Sequence, residues 1–237
     1  MLLKEIEHYW DLRAEGFSQS NQDELAGSFQ HLPLITPNLP QHAPLSSLKA
    51  LDIGCGPGIM GIILSQLGLS VTGLDLSPEM LKQAKNNARK HNVEIDYVQG
   101  DATNPPFEAE TFDVIITRNL TWNLLDPRQS YSNWGKLLKP NGVLLNFDGN
   151  HFYFYEDSLY EDPTQISSHK HLNGVDVSVI EKIAETLELS HHLRPDYDLK
   201  LLRELNWGEA TATILKAEQK GSQRVIRDFL ITVKKHQ

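Results

Sequence analysis

Between residues 51 and 75 the chain sets glycines at alternate positions and then a carboxylate at the end of an apolar run, a combination suited to a nucleoside. Leu51-Asp52-Ile53-Gly54-Cys55-Gly56-Pro57-Gly58 follows one apolar stretch and precedes an apolar helix, Ile59 to Leu67. Glycines 54, 56 and 58 let the backbone turn sharply and let a ligand lie against the peptide planes. Asp75 closes the next apolar run, where a carboxylate can accept hydrogen bonds from both hydroxyls of a ribose. Gly56-Pro57-Gly58-Ile59-Met60-Gly61 also fits the Gly-x-Gly-x-x-Gly spacing whose helix N-terminus holds a pyrophosphate. A nicotinamide dinucleotide, and with it an oxidoreductase, therefore stands as one alternative.

These residues need a sheet to position them. From Leu48 onward short apolar runs alternate with helix-length amphipathic segments, the pattern of strands joined by right-handed crossovers. Strands are expected near 48–53, 70–75, 94–99, 112–117 and 143–147. Between the second and third, Ser77 caps a helix, Pro78 occupies its first turn, and Met80, Ala84 and Ala88 repeat on one face. Asp126-Pro127 opens another helix, which Pro140-Asn141-Gly142 closes in a turn. The segment 148–209 exceeds a plain crossover and predicts a helical lid, with helices over 176–187 and 196–205. Two terminal runs, 210–215 and 229–233, have no helix between them and predict an antiparallel hairpin. The N-terminus reads as a helix over 2–17, with a further turn or two from Asn21 to Phe29. Prolines 33, 37, 40 and 44 then suggest an extended connector.

The expected fold is thus α/β: a Rossmann-like, seven-stranded, mostly parallel sheet with a C-terminal antiparallel hairpin, an N-terminal helical segment and a helical lid between strands 5 and 6. One domain spans 1–237. It divides into a cap and connector (1–47), a cofactor-binding core (48–147), a lid (148–209) and terminal strands (210–237).

A chain of 237 residues with 40% hydrophobic and 22% charged residues has an ordinary globular composition. It has no apolar run of bilayer length, and Glu5 and Glu7 stand where a signal peptide would be basic or apolar, which predicts a cytoplasmic protein with no membrane partner. A net charge of -9 disfavours nucleic acid. The single cysteine, Cys55, excludes an internal disulfide and any cysteine-cluster metal site. His169-Lys170-His171 and His191-His192 lack helical ligand spacing, so no metal is expected. No motif specifies an oligomeric state.

The fuller string Asp52-x-Gly54-x-Gly56-x-Gly58, with Asp75 and Gly100-Asp101-Ala102 after the second and third strands, resembles the class I S-adenosylmethionine-dependent methyltransferases. The resemblance covers roughly 48–150 and the terminal hairpin. It implies S-adenosylmethionine as cofactor and transfer of a methyl group to a small-molecule acceptor. By the same resemblance the loop from Asp52 through Gly54, Cys55, Gly56 and Gly58 approaches the cofactor's methionine and ribose, and Asp75 holds the ribose. Leu76 packs on adenine, while Asp101 and the Ala102 N–H read its edge.

Asn104-Pro105-Pro106-Phe107 looks like the signature of enzymes that methylate base amines or glutamine amides, which keeps a macromolecular acceptor as a second alternative. The tetrapeptide follows strand 3, however, whereas that signature belongs after strand 4, and it reads instead as a stiff cover over the cofactor. Arg118 and Asn119, after strand 4, are expected to line the site. Arg118 is open between the methionine end, a substrate carboxylate and a structural ion pair. Tyr9-Trp10-Asp11-Leu12-Arg13-Ala14 resembles the closing helix of small-molecule methyltransferases. Trp10, Trp122, Asn123 and Tyr153 are the expected substrate contacts, and Tyr9, Asp148 and His151 are the expected catalytic groups, with His8 and Tyr153 as further candidate bases. Binding of the cofactor without any transfer remains a third alternative.

Overall fold

The computed structural model describes residues 1–26, 32–161 and 171–237. Its strands are β1 (Lys49–Ile53), β2 (Ser70–Asp75), β3 (Asp96–Gln99), β4 (Phe112–Arg118), β5 (Leu138–Gly149), β6 (Gly208–Lys220) and β7 (Gln223–Lys235). They form one sheet in the order β3-β2-β1-β4-β5-β7-β6. All pairings from β3 through β5 are parallel, and β7 runs antiparallel between β5 and β6. The order reverses between β1 and β4, so the loops leaving these two strands diverge and open a crevice at their carboxyl ends.

Alternation along each strand divides the core into two layers. Leu51, Ile53, Ile115 and Leu144 pack with Tyr131 and Trp134 of α5 (Pro127–Leu137) and Leu201 and Leu202 of α7 (Asp196–Leu205). Ala50, Val114, Ile116 and Leu145 face the other way, onto Ile59, Met60 and Ile63 of α3 (Ile59–Gln66). A third cluster joins Ile6 and Tyr9 of α1 (Leu2–Ala26) to Ile180 and Ile183 of α6 (Ser178–Ala184) and to Trp122. That cluster roofs the crevice.

The caps read from the sequence are in place. Ser77 Oγ accepts the Met80 N–H at 3.0 Å to start α4 (Pro78–Lys90), and Asp126 accepts the Gln129 N–H at 2.8 Å to start α5. Three expectations change. The N-terminal helix is continuous through Ala26, and Phe29 lies outside the described residues. The proline segment is extended only in part: Pro33 and Pro37 lie in short helical turns, α2 (Leu32–Ile35) and Thr36–Asn38, while Pro40 and Pro44 fall in the stretch between these and the turn Leu45–Ser47. Pro33 sits in a first turn, where no amide is required. Pro140-Asn141-Gly142 lies inside β5: pairing begins at Phe112 with Leu138 and resumes at Val114 with Val143, so these residues bulge, with Asn141 at φ +61.

Trp134 links this packing to the crevice. Its ring is fully buried against Tyr131, and its Nε1 donates to the Ala102 carbonyl at 2.7 Å, fixing the loop after β3. Trp134→Ala is expected to lower unfolding free energy by about 3–5 kcal/mol, measured by urea denaturation, because it leaves a large cavity.

Candidate active site

The loop between β1 and α3 turns through three glycines with positive φ, Gly54 (+64), Gly56 (+51) and Gly58 (+92). A Cβ at Gly54 would stand 2.6 Å from Leu120, and one at Gly56 would point toward Phe17 at 3.7 Å and Met80 at 4.0 Å. The second is a cradle left open only because the residue is glycine. Asp75 fastens this loop to β2: one carboxylate oxygen accepts the Gly56 N–H at 2.7 Å and the other the Ser77 N–H at 2.9 Å. Each oxygen keeps a further lone pair for a ligand. Burial pushes the Asp75 carboxyl up to about 6, against the lowering effect of those amide bonds.

A cleft lies over the loop. Gly54, Gly56, Asp75, Leu76, Asp101, Ala102, Arg118 and Asn119 are on its wall, together with Met80, Leu120 and Asn123; Ile6, Trp10 and Phe17 of α1 cover it. Asp101 turns one oxygen to the Thr103 N–H at 2.8 Å, which shapes the loop. Asn123 Oδ1 is buried without a hydrogen-bond partner among the described residues, an acceptor waiting for a donor. The open cradle at Gly56, the strand-end carboxylate and this orphaned acceptor fit a nucleoside bearing a methionine tail.

Three residues expected on the cofactor stand behind the loop instead. Asp52 is buried and accepts the Gly61 N–H at 2.8 Å in the first turn of α3, so it holds the helix that carries the loop. Burial, reinforced by Asp75, raises its carboxyl to about 7, opposed by the Gly61 amide and Arg118. Cys55 is buried beneath the loop, and a Cβ on Gly58 would meet Tyr97 and Ala84. Arg118 takes the ion-pair option: its guanidinium binds both carboxylate oxygens of Glu24, at 2.6 and 3.0 Å, tying the end of α1 to the end of β4. Nearer the middle of α1, Ser77 Oγ donates to Asp11 and fixes the helix over the start of α4.

A second chamber adjoins the cleft and shares Trp10, Phe17 and Asn119 with it. Tyr9, Arg13, Trp122, His151, Phe152, Phe154, Ile180 and Glu181 complete it. The sequence offered Tyr9, Trp10, Trp122 and His151 for this region and left the aromatic run 152–155 open between substrate contact and lid packing; Arg13 and Glu181 were not assigned to it. Asn123 belongs to the first cleft, and Tyr153 to neither, being packed edge-on against Tyr160 at 4.9 Å. His8 is exposed on α1. Burial raises the Tyr9 phenol, with Arg13 opposing, so it stays protonated near neutrality and is unsuited to act as a base.

Asp148 does not reach either space. It is buried behind His151, 3.2 Å from its Nε2, and accepts from the Trp122 and Gly149 N–H groups at 3.2 and 2.8 Å, from Thr121 Oγ1, and lies 3.3 Å from Arg194 Nη1. Burial works to raise its carboxyl, but Arg194, His151 and Thr121 prevail and hold it well below the usual carboxylate range. An ionised, enclosed carboxylate orients an imidazole rather than taking a proton itself. Arg194 was not singled out in the sequence. It is buried, with Nε and Nη2 on the two oxygens of Asp198 at 2.8 and 2.9 Å, and Asp198 also accepts from the Tyr131 hydroxyl at 2.6 Å.

The remaining motifs have other work. Asn104 accepts from Asn133, Pro106 abuts Gly100, and Phe107 packs edge-on against Phe112 at 5.2 Å, so this tetrapeptide braces the β3–β4 connection outside the cleft instead of covering the cofactor. His171 pairs with Asp23, His191 with Glu156, and His192 stacks on Tyr197, while His169 and Lys170 lie outside the described residues. Among the described residues no three His, Cys, Asp or Glu side chains group as metal ligands, and no helix is long and apolar enough to cross a membrane.

A strand order of 3-2-1-4-5-7-6 with a glycine loop after β1 and a carboxylate after β2 defines the class I S-adenosylmethionine-dependent methyltransferases, and the chain carries such a domain. Residues 51–146 match the family described as Methyltransferase domain. The ubiquinone biosynthesis O-methyltransferase of Coxiella burnetii is 34% identical over 135 residues, 54% of this chain and 58% of that protein. The chain spans about half the length of the curated relatives it matches. A solved S-adenosylmethionine-dependent methyltransferase from Methanosarcina mazei superposes with a TM-score of 0.59 at 21% identity, over 86% of this chain and 97% of that one. A Methanococcus maripaludis protein assigned to the same enzymes gives 0.61 at 20% identity, over 95% and 94%. Both show a shared fold.

Two measurements test the cleft. Asp75→Asn is expected to weaken S-adenosylmethionine binding by about 1–3 kcal/mol in titration calorimetry, since the charged acceptor is lost and one of the two loop amides is left facing an NH2 group. Asp52 carries the pH test. With its folded carboxyl near 7 and its unfolded one in the ordinary range, the native state holds a proton that the unfolded state has released between about 4 and 7. This group's contribution therefore falls as pH rises through that window. Urea denaturation at pH 5 and pH 8 is expected to show a smaller loss for Asp52→Asn than for the parent protein.

Proposed function

We propose that the protein transfers a methyl group from S-adenosylmethionine to a small-molecule acceptor enclosed in the second chamber, with a proton-bearing hydroxyl as the accepting group. The observation that carries this reading is the shared wall: Trp10, Phe17 and Asn119 border both spaces, so a molecule in the chamber lies against the methionine side of the cleft. The names of the Coxiella and related proteins, O-methyltransferases of ubiquinone biosynthesis, agree with a small acceptor and an oxygen nucleophile.

When bound, the cofactor supplies an electrophilic methyl on a positively charged sulfur. The chain's own part is to align, dehydrate and deprotonate. Asp75, Leu76 and Asp101 hold the nucleoside, and the aromatic rings of α1 together with Phe152 and Phe154 exclude water. Trp122 is fixed by its Nε1 bond to the Asn119 carbonyl at 3.0 Å and stands edge-on to His151 with ring centres 6.2 Å apart. His151 receives the acceptor's proton, and Asp148 steadies the imidazolium that forms.

The test is S-adenosylhomocysteine release with a panel of phenols and enols, run beside transfer RNA and a protein mixture. Turnover with a small hydroxylated molecule supports the reading; turnover with the macromolecules alone overturns it. With a turned-over acceptor, His151→Ala is expected to lower kcat by about 10²-fold or more and Asp148→Asn to lower it less, the loss of a positioned base being of that order. Calorimetric S-adenosylmethionine affinity should stay within about twofold in His151→Ala, because that side chain lies outside the cofactor cleft.

A further inference from the structure

Arg13 is the feature of the chamber that this function leaves without a task. Its residue is only 2% exposed, yet it lines the cavity. Its guanidinium donates to the His171 carbonyl at 3.0 Å and lies beside the Tyr9 hydroxyl. Both partners are neutral. Among the described residues no carboxylate comes within 4 Å of it, in contrast to Arg118 and Arg194, each of which grips a carboxylate through two nitrogens. A guanidinium cannot shed its proton to escape burial, and buried charge is costly unless an opposite charge meets it.

We infer that Arg13 anchors a carboxylate on the methyl acceptor, and that the acceptor is a flat aromatic acid carrying the hydroxyl to be methylated. This rests on the proposed function and deepens it. The walls beside Arg13 are rings: Tyr9, Trp10, Trp122 and Phe152 offer faces and edges to a planar body, and a carboxylate matches the planar fork of the guanidinium. Arg13 borders the chamber but not the cofactor cleft, whereas Trp10, Phe17 and Asn119 border both. On this assignment the carboxylate rests on Arg13, and the hydroxyl carried elsewhere on the ring meets the transferred methyl. Glu181 also reaches the chamber, but from the exposed side of α6, where water screens its repulsion. Burial keeps the Tyr9 hydroxyl protonated beside the guanidinium, so it adds no negative charge against the incoming acid.

The test compares 2-, 3- and 4-hydroxybenzoate with their carboxamides, titrated into the protein saturated with S-adenosylhomocysteine, for the parent chain, Arg13→Gln and Arg13→Lys. At least one acid is expected to bind about tenfold or more tightly than its amide, the ratio expected for a charge-assisted pair. That ratio should collapse toward unity in Arg13→Gln and recover in part in Arg13→Lys, with S-adenosylhomocysteine affinity within about twofold throughout, since Arg13 is off the cofactor cleft. Acids that bind no better than amides, acids that do not bind at all, or a preference that survives Arg13→Gln would each overturn the assignment. The cofactor titration separates the two levels: intact S-adenosylhomocysteine binding with no acid preference removes the Arg13 anchor alone, whereas absent cofactor binding removes the methyltransferase reading beneath it. Should Arg13→Gln be too unstable to titrate, Arg13→Lys decides, because losing the fork while keeping the charge is expected to reduce the ratio without abolishing it.

Discussion

The chamber depends on one buried charge, the guanidinium of Arg194, set between Asp148 and Asp198. It lies 3.3 Å from the first through Nη1 and binds both oxygens of the second, and Thr121 bridges the group by donating to Asp148 and accepting from Arg194. Removing one member of such a cluster strands the others in a medium that cannot solvate them, at a cost of several kcal/mol. The cluster consequently locks three separate pieces of chain together: the turn after β4, the end of β5 and the start of α7. Tyr131 and Asn146 extend it into the sheet, through bonds of 2.6 Å to Asp198 and 3.1 Å between them. Because Asp148 belongs to it, the carboxylate that faces His151 from three residues earlier is itself held by the packing of the insertion.

The other half of the roof is a single helix. α1 is fixed near its middle where Asp11 meets Ser77 at the head of α4, and at its C-terminal end where Glu24 meets Arg118 at the end of β4; Ser18 and Asn87 add a buried bond of 2.9 Å between these two points. Its aromatic face thereby serves both spaces at once. Trp10 and Phe17, with ring centres 5.7 Å apart, line both the cleft over the glycine loop and the chamber beside it, so the same side chains wall the two spaces. Asp75 has a comparable double duty, since its bonds to Gly56 and Ser77 set the loop and the start of α4 in one geometry.

Much of the framework was legible in the sequence because it follows from local chemistry. Ser77-Pro78 and Asp126-Pro127 start helices wherever they occur before amphipathic runs, and α7 begins and ends at Asp196 and Leu205 as its periodicity indicates. The terminal hairpin was equally plain, though β6 and β7 extend well past their apolar centres because partner strands supply hydrogen bonds to polar residues too. What failed locally did so where context overrides propensity. Prolines at 33 and 37 signal a break, yet each also fits the first turn of a short helix. The turn residues Pro140-Asn141-Gly142 became a bulge because β4 offered Phe112 as an early partner to Leu138. Asp52 illustrates a subtler limit: its place in the loop motif says that a carboxylate belongs there, but not that it faces the helix behind the loop.

By itself the sequence determined the mostly parallel strands, the terminal hairpin and the wall formed by Gly54, Gly56, Asp75, Leu76, Asp101 and Ala102. These features depend on backbone conformation and strand ends, which are encoded within a few residues of where they act. Only the tertiary structure decided the chamber. Arg13, Trp122, His151, Phe152 and Glu181 come from α1, from the turns after β4 and β5 and from α6, so no spacing along the chain relates them. Their neighbourhood exists because the Arg194 cluster and the Arg118–Glu24 pair bring distant segments into register. Whether an arginine there meets a carboxylate of its own chain, or is left with neutral partners, is a property of that packing alone.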